Sequence, residues 1–213
     1  MRPLRAATLI LYLEPAEKSP LAETLSSFWS SARPLTPLNE AFIYPPHATV
    51  TGFWTTTVDL ASPDPFHAAV VGAALVQVFG PIPATAPPPP DVGPAVVVDN
   101  GGGIILPVAP PAALPALALL LANRLAGVRP KAVNHISLAY GAYVGPGDIA
   151  ALERLARELV DPCVAEERSA WGWDLVWYEL EQRGEAGLGL AHQFREIRRW
   201  CVWPSSRVEM DHE

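Results

Sequence analysis

Residues 45–53 read "PPHATVTGF": two prolines, then a histidine opening a β-prone run with threonines at alternate positions. In a strand, residues i and i+2 share a face. His47, Thr49, Thr51 and Phe53 are therefore predicted on one side, and Ala48, Val50 and Trp54 on the other. An imidazole and a hydroxyl then point into the same space while apolar neighbours anchor the strand. A second stretch, "NHISLAYG" from Asn134, has the same form, with His135 and Ser137 on one face and Ile136 and Leu138 opposite.

Working outward, the remaining chain supplies a strand and helix order around each of these runs. Ala6–Leu13 is aliphatic enough for a strand, and Ser19–Ala32 has helical spacing with Leu21, Leu25, Phe28 and Trp29 on one side. His47–Thr55 is predicted as one strand. Asp64–Phe79 reads as a helix capped by Ser62 or Asp64. The proline-rich "PIPATAPPPPDVGP" is a loop. Ala95–Asp99 and Gly103–Val108 flank "NGGG", a hairpin signal. These glycines do not make a phosphate loop, because no Gly-Lys-Ser/Thr follows.

Ala112–Leu125 is predicted helical, His135–Tyr140 a strand, and Gly147–Val160 an amphipathic helix with Ile149, Leu152, Leu155 and Leu159 inward. "WGWDLVWYELEQR" and "FREIRRWCVW" alternate as strands and form a closing hairpin across "GEAGLGL". The order is β-α-β-α-β-β and then α-β-α-β-β, two halves that nearly repeat, each with one histidine strand.

Composition bounds the partners. The 213 residues, half of them apolar, suffice for a substantial core. The 24 prolines, about twice the usual share, sit mostly at segment boundaries. The formal charge is -7 and no basic stripe occurs, which argues against a long nucleic acid but not against a small phosphate ligand. Cys163 and Cys201 lie in no CxxC pair, and no HExxH supports a metal site. A reduced intracellular, cytoplasmic monomer with no cofactor and no metal is expected.

Two stretches mimic membrane signals. The N-terminal "MRPLRAATLILYLEP" reads as a first core strand rather than a leader, since its apolar run is short and lacks a small-residue cleavage site. Ile104–Ala122 is uncharged, but Pro107, Pro110, Pro111 and Pro115 divide it into strand, turn and helix rather than a membrane span.

Two imidazoles and two hydroxyls brought together suit phosphodiester cleavage without metal. Histidine titrates near neutrality, so one copy can take a proton from water while the other gives one to a leaving oxygen. The hydroxyls can donate hydrogen bonds to phosphoryl oxygens. His67, His192 and His212 are read as ordinary histidines.

"HATV" at His47 and "HISL" at His135 resemble the two H-x-T/S signatures of the 2H phosphoesterase superfamily, and the prolines before His47 resemble the flank of its first signature. The group includes 2',3'-cyclic nucleotide phosphodiesterases and RNA-ligase-like phosphoesterases. Residue-level likeness is confined to the two motifs and their flanks. The resemblance implies an α+β, bilobal, pseudo-symmetric domain over residues 1–213, with two mostly antiparallel sheets facing a central cleft and helices outside.

It also implies that water opens a 2',3'-cyclic phosphate on a nucleotide or short RNA end, commonly leaving a 2'-phosphate. His47 and His135 would be the acid/base pair, with their order open, and Thr49 and Ser137 would orient the phosphate. Tyr140 stands where several relatives place an aromatic ligand contact, although strict alternation turns it away unless the strand bends by Gly141. Tyr44, Phe53 and Trp173 are candidates for stacking the base. A 3'-to-5' RNA-end trimming nuclease, or a nucleotide- or RNA-end-binding module without catalysis, are the rival expectations.

Overall fold

A computed structural model describes residues 4–59, 65–80, 87–98, 102–166 and 171–204. The chain is α+β: β1 (Leu4–Pro15), α1 (Pro20–Ala32), β2 (Ala48–Thr49), β3 (Trp54–Asp59), α2 (Pro65–Phe79), β4 (Asp91–Val92), β5 (Val96–Val97), β6 (Gly103–Ala109), α3 (Ala113–Arg124), β7 (His135–Tyr140), α4 (Pro146–Ala165), β8 (Trp173–Gln182) and β9 (Gln193–Trp203). The nine strands form one open antiparallel sheet in the order β4-β6-β7-β2-β1-β8-β9, with β3 also on β1 and β5 also on β6. Two separate facing sheets were expected. The halves instead join through β2, which pairs with β1 on one side and with β7 on the other.

β1 shows how the sequence assigns the two faces. Leu9, Leu11 and Leu13 enter a core that takes residues from all four helices, among them Leu25, Leu75, Leu117 and Leu152. Ile10 and Tyr12 point the other way, into a smaller cluster with Val176 and Tyr178, flanked by Tyr44, Phe53 and Phe194. The helices thus cover one face of the sheet, and the second face is left for other use.

Helix starts follow local chemistry. Ser19 caps α1, its Oγ accepting from the Ala22 N–H at 3.3 Å, and Pro20 occupies the first turn. α4 continues past the expected end at Val160, through Pro162, to Ala165. The "NGGG" hairpin exists as β5 paired with β6, while residues 99–101 at its tip, the Ser62/Asp64 cap, residues 81–86 of the proline-rich loop and His212 lie outside the described residues.

The strand expected at His47–Thr55 is broken. Thr49 pairs with Tyr12 and Trp54 with Leu9, so two extra residues are accommodated opposite β1. The Val50 and Thr51 N–H groups both donate to the Leu11 carbonyl, at 3.1 and 3.3 Å, the signature of a bulge. The Leu11 N–H donates in turn to Thr51 Oγ1 at 3.1 Å. Thr51 is fully buried by this exchange. Its expected place beside His47 and Thr49 is therefore corrected: the bulge turns it inward.

Among the described residues, no helix is long and apolar enough to cross a membrane. Cys163 is buried and Cys201 exposed.

Candidate active site

β2 and β7 meet at one antiparallel pair, Ala48 against Ile136, both fully buried on the helix side. Antiparallel register from that pair sets His47 beside Ser137 and Thr49 beside His135, all on the face away from the helices. Directly opposed side chains have Cβ atoms about 4.5–5.5 Å apart. The four polar groups therefore occupy a small square with the imidazoles at opposite corners. All four line one cavity of about 650 Å³.

His47 is tied by two bonds. Its Nδ1 lies 2.7 Å from the Pro45 carbonyl, which can only accept, so Nδ1 carries the proton and donates. Nε2 of the neutral ring is then bare and accepts from the Thr49 hydroxyl at 3.1 Å. The ring stacks on Tyr12, centroids 3.7 Å apart and planes 29° apart. Burial pushes its pKa down to about 4. The His135 charge also lowers it, and the bond to Pro45 works the other way. His135 stands at the mouth, with Nδ1 donating to Asn134 Oδ1 at 2.8 Å, and burial lowers its pKa. Both imidazoles line the same cavity.

Tyr140 lines the cavity. Ala139 pairs with Ile104 but Ser137 with Ile105, so Leu138 is the extra residue of a bulge. That shift breaks the alternation that would have turned Tyr140 away. The strand stops there because Gly141 has φ of 119° and a side chain at it would run into Glu40. Asn39 fixes the same corner: its Nδ2 donates to the Leu138 carbonyl at 3.0 Å, while its Oδ1 accepts from the N–H groups of Ala41 and Tyr140.

Tyr44 and Phe53 also line the cavity, on the side of Tyr12. Phe53 is parallel to Phe194 at 6.4 Å, and the Arg183 guanidinium lies 5.8 Å over its ring. His192, read as ordinary, packs edge-on against Tyr44 at 4.7 Å, beside this aromatic wall. Its Nδ1 accepts from the Gly184 N–H at 2.7 Å. Trp173 is corrected. It is fully buried in the helix-side core with Leu175 and Trp177, because alternation along β8 sends these odd positions to the face opposite the cavity. His67 is hydrogen-bonded to Thr56 at 3.3 Å and packed near Trp177.

Sequence reasoning missed Tyr12, Arg129 and Lys131, which line the same cavity. The signal for the cations was present in "VRPKAVNH", a basic pair just ahead of His135. The link to the first motif was not visible, since it arises from backbone pairing: Gly52 N–H donates to the Arg129 carbonyl at 2.8 Å and Lys131 N–H to the Val50 carbonyl at 3.0 Å. No group of three or more His, Cys, Asp or Glu with metal-holding geometry occurs among the described residues.

Comparison with models of known protein families, and with curated proteins, finds no match for this chain.

Proposed function

We propose that the chain is a 2H-type phosphoesterase that opens a 2',3'-cyclic phosphate on a nucleotide or a short RNA end, without a metal, within a bilobal arrangement whose halves meet at β2 and β7. The observation that carries this reading is the square of two imidazoles and two hydroxyls on adjacent strands, facing one cavity.

His47 is the base. Its Nδ1–H is held by Pro45, and its bare Nε2 takes a proton from the attacking water. His135 is the acid. Its Nδ1–H is held by Asn134, so its Nε2 carries the proton it delivers. Water forms the new bond to phosphorus while the bond from phosphorus to one ribose oxygen breaks, and that oxygen receives the proton from His135. A bound phosphate favours the charged imidazole that this step requires. Thr49, released from His47, and Ser137 donate to the non-bridging oxygens, whose charge grows in the transition state. By the resemblance, the product is the 2'-phosphate.

The test incubates the protein with the four 2',3'-cyclic nucleotides, with and without a chelator, and separates 2'- from 3'-phosphate products. Turnover that survives the chelator, and that falls about 10²–10⁴-fold in His47→Ala and in His135→Ala, is expected. Full turnover in both variants contradicts the assignment. Saturable binding of a nucleotide monophosphate without any hydrolysis would favour a binding module instead.

A further inference from the structure

The cavity holds two separate centres of positive or protonatable character, and the mechanism uses only one. Arg129 and Lys131 are exposed at its edge, and both side chains lie over Gly52: a Cβ added there would meet Lys131 Cε at 3.4 Å and Arg129 Nε at 3.7 Å. Among the described residues, neither makes an ion pair or a side-chain hydrogen bond. Of the arginines in the sheet strands, Arg5 and Arg195 pair with Glu179, Arg199 pairs with Glu14, Asp174 and Glu196, and Arg198 lies over the Trp200 ring. In a chain of net charge -7, two unpaired cations beside one cavity concentrate a local positive field where anions gather.

These cations are not part of the imidazole pair. They flank Gly52, past the bulge that follows Thr49. The scissile diester carries a single negative charge, and Thr49, Ser137 and protonated His135 already face it. The cation pair is left facing another part of whatever fills the cavity.

We infer that Arg129 and Lys131 select a substrate carrying a second phosphoryl group besides the cyclic one, that is, a nucleotide whose 5' oxygen is also phosphorylated. The inference rests on the phosphoesterase reading for the cyclic group, but the second-anion site has its own readout. Phe53 adjoins Gly52, so the cation pair and the aromatic wall border the same end of the cavity. A ribose whose phosphorus lies at the histidines presents its base and its 5' oxygen on the remaining two sides.

The experiment measures kcat/KM for a nucleoside 2',3'-cyclic phosphate, for its 5'-phosphorylated form, and for a dinucleotide ending in a cyclic phosphate. At low salt the unaltered chain is expected to prefer one or both 5'-phosphorylated substrates by about 10-fold or more, the preference shrinking as salt rises. Arg129→Ala/Lys131→Ala is expected to bring that ratio close to one. The dinucleotide arm tells a phosphodiester 5' neighbour from a phosphomonoester. No preference in the unaltered chain, or a double variant that loses the same factor on every substrate and keeps the ratio, overturns the inference. Binding of a nucleoside 2',5'-bisphosphate against the 2'-monophosphate, followed by calorimetry, gives the same ratio without turnover. If no substrate is cleaved yet the bisphosphate preference depends on the two cations, the phosphoesterase reading fails and the second-anion site stands. If neither preference exists, the site fails by itself.

Discussion

His47 owes its capacity to accept a proton to the asymmetry of its two nitrogens. One is committed as a donor to a carbonyl and the other is left bare against a hydroxyl. Burial against Tyr12 keeps the ring neutral down to about pH 4. His135, at the mouth, is lowered from its ordinary 6.5 by burial. Under the proposed phosphoesterase reading the rate needs a neutral His47 and a charged His135, and kcat/KM would report both in the free protein. A bell on the acid side of neutrality is expected: activity falls as pH drops through about 4, where His47 gains its proton, and falls again as pH rises past the lowered pKa of His135. A pH–rate profile from pH 3.5 to 9 checks this. A rate that climbs steadily to pH 9 would contradict the roles given to the two rings. The histidine and hydroxyl pairs were legible in the sequence because an i, i+2 spacing is purely local. Tyr12 was not, because its place under His47 depends on which strand lies next to β2.

At the scale of elements, strand and helix identities were read well where periodicity was strong. α1, α3, β7 and the β8–β9 hairpin fall close to the expected spans. What escaped was the break between β2 and β3. The stretch "HATVTGFWT" carries one signal for a break, Gly52, since a lone glycine inside a strand often marks a bulge, but the place of the bulge is set by the Leu11 backbone. The break shapes the site: it turns Thr51 inward and brings residues 129–131 alongside. Thr51 is its keystone, since its hydroxyl takes the Leu11 N–H. Thr51→Val keeps the shape but leaves that buried donor unpaired, at a cost of about 1–3 kcal/mol. Urea unfolding is expected to show that loss, with a drop in kcat/KM as Thr49 and Phe53 shift. An unchanged unfolding midpoint would mean the bond contributes nothing. The end of α4 escaped for a different reason. Pro162 reads as a stop, yet it falls within the last turn before Ala165 and the helix carries through it.

Over the whole molecule, the sheet separates a helix-covered face from the face that bears the two histidines, and β8 shows why sequence alone misplaces Trp173. Its residues from Trp173 to Glu179 are all buried, so sequence alone cannot tell which alternate set faces the cavity. The two faces also leave a mark on stability. Glu14, buried on the cavity side of β1, has its pKa raised to about 7 by burial, against the pull of Arg199 and the Tyr178 hydroxyl. Its folded pKa exceeds the ordinary 4.5, so its contribution to stability is full below about 4.5 and is lost as pH rises through 7. His47 has the opposite sign: its folded pKa of about 4 is below the ordinary 6.5, so its contribution is present above 6.5 and is lost as pH falls toward 4. Between about pH 4.5 and 6.5 the two act against each other. His47→Gln is expected to make the unfolding free energy rise less with pH than in the parent chain, and Glu14→Gln to make it rise more. Urea midpoints at closely spaced pH values measure both slopes, and tilts of the same sign would contradict the linkage.

All of these roles depend on two imidazoles, distant in the chain, closing on a single phosphorus. A crystal structure with a nucleoside 2'-monophosphate bound examines that directly. The expected result is one phosphate group with an oxygen within about 2.6–3.2 Å of His47 Nε2 and another at the same reach of His135 Nε2. A phosphate held by only one ring, or bound over Gly52 with neither ring in reach, would contradict it.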